Sequence, residues 1–512
     1  MKKAIPHLQL CAEEKPKPCG IIIFGASGDL TERKLIPALY SLYEKGNMPR
    51  VFYIIGCART RMTTAAFRKK IQQAVKQHGD VKGNTDIQAF LKRMEYVPID
   101  YSDVGSYRAL GSKISSMEKR YPVMRNRIFQ LATPPLLYKT LTENLSRSGI
   151  IGSEKKGRNA RVIFEKPFGY DLASAEELDG VLHEYLSEEQ IYRIDHYLGK
   201  DTVQNILMLR FANAVFEPIW NRQYIDHVQI TVSESIGIEK RAAFYDDTGH
   251  LRDMFQSHIL QMVSLVAMEP PVSFDPDAIR DEKVKLMRSI RPFPLGALDK
   301  WIARAQYTAG TVDGKKAAAY RDEEGVHKGS VTETYVAAKL MIDNWRWQDV
   351  PFYIRSGKRM RKKVSEIAII FKNIPHSMFS PLTAEDIAAN VLILHIQPDE
   401  GMSLSIQTKQ PGAKLCMRDV KLDFVYRDFY HKEMPNAYER LLLDAMLGDQ
   451  TLFWRSDGVA AAWQLLTPLL EKWKGDKKAA DLSFYKAGSL GPKEADTLIQ
   501  RDGRKWRFST SS

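Results

Sequence analysis

Apolar and polar positions fall in alternating blocks along the first 200 residues, some with a strand period and some with a helix period. Gly20–Phe24 (GIIIF) is a continuous apolar run rich in β-branched residues, the pattern of a strand buried on both faces. It leads into Gly25, Ala26, Ser27, Gly28, Asp29 and Leu30, then a helical pattern through Leu35, Leu39 and Leu42, then a second apolar strand at Val51–Ile55. Strand, glycine turn, helix, strand is a βαβ unit and predicts a parallel sheet. Further strands are predicted at Arg127–Ala132, Arg161–Phe164 and Gln190–Ile194, with helical composition between them. The polar stretch Gly152–Asn159 predicts a loop and not a boundary, because strands resume directly after it.

Beyond residue 200 the texture changes to alternating strands, at Val228–Ser233, Ala368–Phe371 and Val391–Gln397, with helices over 247–268 and 436–448. The chain is therefore predicted to hold an α/β Rossmann-type N-terminal domain with a parallel sheet over residues 1–200. A larger α+β C-terminal domain on a mostly antiparallel sheet is predicted over 201–512. A length of 512 residues, 44% apolar and 27% charged, fits two buried cores.

Charge alters the picture only slightly. Lys and Arg outnumber Asp and Glu by 75 to 62, giving +13 and a pI near 9.2, which favours anionic partners, phosphorylated small molecules among them. The basic residues are scattered apart from Lys358, Arg359, Arg361, Lys362 and Lys363, and no nucleic-acid-binding signature organises them, so no nucleic acid partner is expected. Cys11, Cys19, Cys57 and Cys416 have neither paired nor CxxC spacing, so no disulfide framework and no metal site is expected. The N-terminus has no apolar signal core and no segment has the length of a membrane span. A soluble, cytoplasmic protein without a membrane partner is expected.

Five stretches carry candidate chemistry. Gly25 and Gly28 let the backbone turn sharply and approach a phosphate at a helix start, although the GxxGxL pattern also fits a plain strand-to-helix turn. The second strand runs into Gly56-Cys57-Ala58-Arg59-Thr60-Arg61 without the carboxylate of an NAD-selective site. Arg59, helped by the Ser27 hydroxyl, suits a 2′-phosphate and points to NADP; a solvated loop is the alternative. Lys166 and Asp195 each directly follow a predicted buried strand, where open parallel sheets place ligands. His258 lies on or beside the apolar stripe Leu251, Phe255, Ile259, Met262 and Val266, which suits either a satisfied core histidine or a base oriented by Asp195. His196 and Lys200 fit either an anion site or an ordinary strand-to-helix junction.

These stretches together resemble the glucose-6-phosphate dehydrogenase family. The similar segments are GASGDL at 25–30, EKPFG at 165–169, RIDHYLGK at 193–200, LRDMFQSHILQ at 251–261, RSGK at 355–358 and PNAYERLLLDAMLGD at 435–449. The resemblance implies oxidation of C1 of glucose 6-phosphate by NADP to 6-phosphogluconolactone and NADPH, the entry step of the oxidative pentose phosphate pathway. His258 would take the hydroxyl proton and Asp195 would orient it. The sugar phosphate would lie on His196, Tyr197 and Lys200, and the sugar hydroxyls on Lys166, Glu234, Asp253, Lys358, Lys363 and Gln397. Lys363 stands where many members have Arg. Cofactor contacts map to Gly25, Ala26, Ser27, Gly28, Asp29, Leu30, Arg59, Asp100, Tyr101, Tyr138 and Lys166, with a cis Lys166–Pro167 bond.

A homodimer or homotetramer is implied, joined through the antiparallel sheet. A second NADP site, present in some animal relatives, is expected to be absent, because its Arg, Tyr and Lys read His395, Ser403 and Ser405 here. Competing readings are another sugar or polyol dehydrogenase, which would lack DHYLGK, and a non-catalytic NADPH sensor, which would lack the base.

Overall fold

The computed structural model describes residues 14–79, 86–152, 160–412, 416–430, 435–476 and 479–507. Cys11 and residues 153–159 of the expected polar loop lie outside the described residues.

The first layer is built from β1 (Cys19–Phe24), β2 (Phe52–Ala58), β3 (Met94–Pro98), β4 (Arg127–Leu131), β5 (Ala160–Phe164) and β6 (Ile191–Ile194). They form a parallel sheet in the order β3-β2-β1-β4-β5-β6. Every residue of β1 and β2 is buried, as expected of strands covered on both faces by helices. The order reverses between β1 and β4, and that crevice, at the carboxyl ends of the strands, is where open sheets of this kind take ligands.

The second layer contains β7 (Ile225–Ser233), β8 (Ile302–Thr308), β11 (Tyr335–Leu340), β12 (Phe352–Gly357), β13 (Val364–Phe371), β14 (Val391–Gln397), β15 (Gly401–Lys409), β16 (Met417–Val425) and β18 (Leu482–Lys486). A short hairpin, β9 (Gly310–Val312) and β10 (Lys315–Ala317), stands apart. The nine strands run β16-β15-β14-β13-β7-β12-β11-β8-β18, antiparallel except at β7–β12 and β8–β18. The parallel-sheet domain and the mostly antiparallel one are both as the sequence pattern predicts.

Two features differ from that pattern. The chain returns to the first layer near its end: β17 (Phe453–Trp454) pairs antiparallel with the edge strand β6. Helix Ala437–Leu447 packs on helix Ile36–Glu44, and helix Ser456–Gly475 packs on helix Leu172–His183. The predicted helix over 247–268 is interrupted. Gly249, at φ 73°, breaks it from the preceding helix Ala242–His250, and Leu251–Ile259 is wound as a π-helix before the α-helix Leu260–Ala267 resumes. Glu333 explains the break, since its Oε1 accepts the Leu251 N–H at 2.9 Å and would stand 2.5 Å from any Cβ on Gly249. The expected apolar stripe is replaced by burial on all sides, with every residue from Asp253 to Ala267 buried between the layers.

Gly25 adopts φ 80°, and a Cβ there would lie 2.1 Å from the Ala132 carbonyl oxygen. Gly25→Ala is expected to cost about 1–3 kcal/mol through this strain and clash. Denaturant unfolding that matches the parent would contradict the assignment.

Candidate active site

His258 is fully buried on the π-helix, and Asp195, following β6, is 1% exposed. Nδ1 of His258 stands 2.5 Å from Asp195 Oδ1, and the same oxygen accepts the Tyr197 N–H at 2.9 Å. Burial pushes the Asp195 carboxyl up, but the charge that His258 carries when protonated and its hydrogen bond outweigh it and hold Asp195 well below the usual carboxylate range. Burial pushes His258 down, past the upward pull of Asp195, and the Lys166 charge adds to the fall. The pair is therefore a neutral imidazole and an ionised carboxylate. An ionised acceptor fixes the ring proton on Nδ1 and leaves the Nε2 lone pair free to act as a base.

Nε2 is met by Lys166 Nζ at 2.7 Å. Lys166 follows β5, and its ammonium also donates to the Asp253 carbonyl at 2.7 Å and carboxylate at 3.3 Å. The Lys166–Pro167 bond is cis. Asp253 is held ionised: burial raises it, but Lys166, Arg241 and Lys358 lower it further. A substrate hydroxyl entering this site has to take the place of Lys166 on Nε2, because one lone pair accepts one strong hydrogen bond.

The loop after β6 supplies the anion side. The rings of His196 and Tyr197 lie 4.3 and 4.4 Å from the His258 ring. Burial, then the nearby His258 and Lys166, drive His196 well below its ordinary pKa, so without an anion it is neutral. Lys200 lies 4.6 Å over the Tyr197 ring and donates to Gln397 Oε1 at 2.5 Å. Burial lowers its ammonium to about 8, against the attraction of Glu400. Lys363 is exposed and near enough to Lys200 to lower it as well.

Glu234 and Lys358 come together at 2.6 Å because β7 and β12 run parallel with Ser233 opposite Gly357, so the residue after each strand end faces the other. The expected catalytic pair and most of the expected sugar and phosphate contacts thus lie in one connected set. Arg241, 3.3 Å from Asp253, and the buried Lys283, within Coulomb reach of Asp195 and lowered to about 7 by burial, carry no sequence signal for this place. Ser365 is a third such residue, reached by Gln397 Nε2 at 2.8 Å.

The cofactor side is built on the turn after β1. Gly25 and Ala26 N–H groups bond the Cys57 carbonyl, Thr31 Oγ1 bonds the Gly25 carbonyl, and Gly28 and Asp29 are exposed at the start of the following helix. Leu30 is partly buried, and Asp29 pairs with Arg33 at 2.7 Å. Ser27 and Thr60 hydroxyls lie 3.1 Å apart, and Arg59 is exposed 5.8 Å from the buried Tyr101 ring. A half-open turn at the switch point, with helix N–H groups beyond it and a cation beside it, fits a dinucleotide. Asp100 turns its carboxylate onto Ser102 at 2.7 and 3.0 Å, and Tyr138 is fully buried with its hydroxyl on the Glu165 carbonyl at 2.6 Å.

Two family descriptions match the chain: "Glucose-6-phosphate dehydrogenase, NAD binding domain" over residues 22–205 and "Glucose-6-phosphate dehydrogenase, C-terminal domain" over 207–507. The chain belongs to the glucose-6-phosphate dehydrogenase family. It is 46% identical over 501 residues to the glucose-6-phosphate 1-dehydrogenase of Chlamydia pneumoniae, covering 96% of each chain. To that of Bacillus subtilis it is 42% identical over 493 residues, covering 96% of this chain and 99% of the relative. A solved glucose-6-phosphate dehydrogenase in complex with glucose 6-phosphate superposes with a TM-score of 0.88 at 35% identity, covering 97% of this chain and all of that one. A second, from Mycobacterium avium, gives 0.82 at 34% identity over 96% of this chain and 99% of that one.

Glucose-6-phosphate dehydrogenases are oxidoreductases acting on a CH–OH group with a nicotinamide cofactor, and the buried Asp195–His258 pair has the protonation that such a reaction needs. Asp195→Asn is expected to lower kcat about a thousandfold. The acid limb of kcat/KM should move to lower pH, because the carboxylate that raises His258 is gone. A loss smaller than tenfold in steady-state assays would contradict the pairing.

Proposed function

We propose that this chain oxidises C1 of glucose 6-phosphate with NADP, giving 6-phosphogluconolactone and NADPH at the entry to the oxidative pentose phosphate pathway. The observation that carries the reading is the neutral His258 ring, held by Asp195 on Nδ1 so that Nε2 presents a lone pair, now taken by Lys166, beside His196, Tyr197 and the cation Lys200. The phosphate lies on His196, Tyr197 and Lys200, and sugar hydroxyls lie on Lys166, Asp253, Gln397, Lys363 and the Glu234–Lys358 pair. His258 Nε2 takes the C1 hydroxyl proton as the C1–H bond breaks with its electron pair, and C1 becomes the lactone carbonyl. A nicotinamide cofactor bound beside the site would supply the acceptor for that hydride. Asp195 stabilises the imidazolium that forms.

Gly25 through Leu30 would hold the cofactor diphosphate, and Arg59 with Ser27 would hold a 2′-phosphate. The NADP choice is supported by Arg59 standing directly after β2 with no carboxylate beside it on that strand end. Asp100, Tyr101 and Tyr138 act around this turn, Tyr138 through Glu165. We divide the labour at about residue 200, with the nucleotide on the unit before it and the sugar and self-association on the unit after it.

Self-association as a homodimer or homotetramer is supported by the edge strand β16, which leaves Val420 and Leu422 exposed beside Phe429 and Tyr430. The absence of a nucleic acid partner is supported by the basic run, in which Lys358 pairs with Glu234 and Arg359 with Glu323. A second nucleotide site is disfavoured where His395 and Ser403 bond each other at 2.8 Å and Ser403 donates to Asp423, a carboxylate that repels phosphate. Among the described residues no helix is long and apolar enough to cross a membrane, and Cys19 and Cys57 are free buried thiols, which supports a cytoplasmic location.

Purified protein is expected to form NADPH with glucose 6-phosphate and not with glucose, and His258→Asn to lose activity at least about a hundredfold. Lys200→Ala should raise the KM for glucose 6-phosphate about tenfold or more with a smaller change in kcat. An unchanged KM would move the phosphate site elsewhere, and undiminished turnover by His258→Asn would remove the base.

A further inference from the structure

Helix Ala437–Leu447 reaches the site from the far end of the chain. Its first turn is closed by a capping box in which Asn436 accepts the Tyr438 N–H at 3.0 Å and gives its own N–H to Glu439 at 3.2 Å. Lys45 ties the same turn to the first layer through Glu439 at 2.6 Å. Two site segments meet here. The buried Tyr438 donates its phenol to Glu165 Oε2 at 3.1 Å, and Glu165 Oε1 accepts Gln130 Nε2 at 2.8 Å. Gly199, in the loop that carries His196 and Lys200, runs so close to Ala437 that a Cβ on it would stand 2.5 Å from the Ala437 carbonyl oxygen.

We propose that Tyr438 is a positioning residue for the reaction: its phenol fixes Glu165 and so holds Lys166 in place beside Asp253 and the His258 base, while its turn sets the spacing between Lys166 and Lys200. The inference rests on Lys166 serving the site as proposed above. Both side-chain partners of Glu165 are donors, so the ionised carboxylate is the form they match. Burial raises Glu165 to about 7, against the Tyr438 and Gln130 hydrogen bonds and the Lys166 charge. The titratable groups around it are Lys166 on its own segment, Tyr138 on helix Tyr138–Arg147 and Tyr438 on helix Ala437–Leu447, with Asp195 beyond Tyr438. Removing the Tyr438 donor takes away an interaction that favours the ionised form, so Glu165 keeps its proton to higher pH and Lys166 loses an anionic neighbour.

The test is steady-state kinetics on the full-length protein with glucose 6-phosphate and NADP across neutral pH. Tyr438→Phe, which keeps the packed ring, is expected to lower kcat about tenfold and move the acid limb of kcat to higher pH, with a smaller change in KM for glucose 6-phosphate. Glu165→Gln removes the titrating group, so adding Tyr438→Phe to it should shift the limb no further. Tyr438→Phe with kcat and limb unchanged, even at a lower thermal midpoint, would make the residue purely structural and overturn the inference. Lys166→Ala separates the two levels: activity retained in that variant removes the reading of Lys166 itself. Activity lost there but untouched in Tyr438→Phe removes only the positioning role.

Discussion

The site depends on a neutral imidazole and an ionised carboxylate buried against each other. Neither group tolerates burial alone, since an unpaired carboxylate loses several kcal/mol of hydration and an unpaired ring nitrogen leaves a donor or acceptor unmatched. Asp195 Oδ1 resolves this by accepting both His258 Nδ1–H and the Tyr197 N–H. The same arrangement directs Nε2 outward toward Lys166 and the place where a hydroxyl enters. Protonation, tautomer and direction of the base all follow from one contact.

Holding that contact requires three distant parts of the chain. β6 ends at the carboxyl edge of the parallel sheet and presents Asp195 and the loop through Lys200. The π-helix inserts His258 and Asp253 between the layers, and its extra residue per turn places both on Lys166, a use of π-helical winding that is common at functional sites. The end of the chain then braces the first layer from outside through β17 and helix Ala437–Leu447. Three of the cations around the pair have an anionic or polar partner: Lys166 with Asp253, Lys358 with Glu234, Lys200 with Gln397. Positive charge is thereby kept near a phosphorylated sugar with these three ammonium groups paired.

Much of this is legible in the amino-acid sequence. GIIIF followed by a glycine turn has one good physical reading, a buried parallel strand feeding a helix, and β1 is that strand. Asp195 and Lys166 stood out because each follows such a strand. His258 was not legible from periodicity, because a helix buried on all sides has no apolar stripe and a π-helix does not keep the 3.6-residue phase. The family resemblance supplied its role. Glu234 and Lys358 meet through strand register 124 residues apart, and Glu165 meets Tyr438 across 273. β3 (MEYVP) is short and ends in proline, and β17 is two residues long, too little pattern for a periodic reading.

The tautomer and charge of His258 are therefore the quantities on which everything else turns, and nitrogen-15 NMR of histidine-labelled protein reads both. At neutral pH and without substrate, His258 is expected to be uncharged with its proton on Nδ1, and to become an imidazolium only below the ordinary histidine pKa of about 6.5. A proton on Nε2, or a charged ring at neutral pH, would contradict the account.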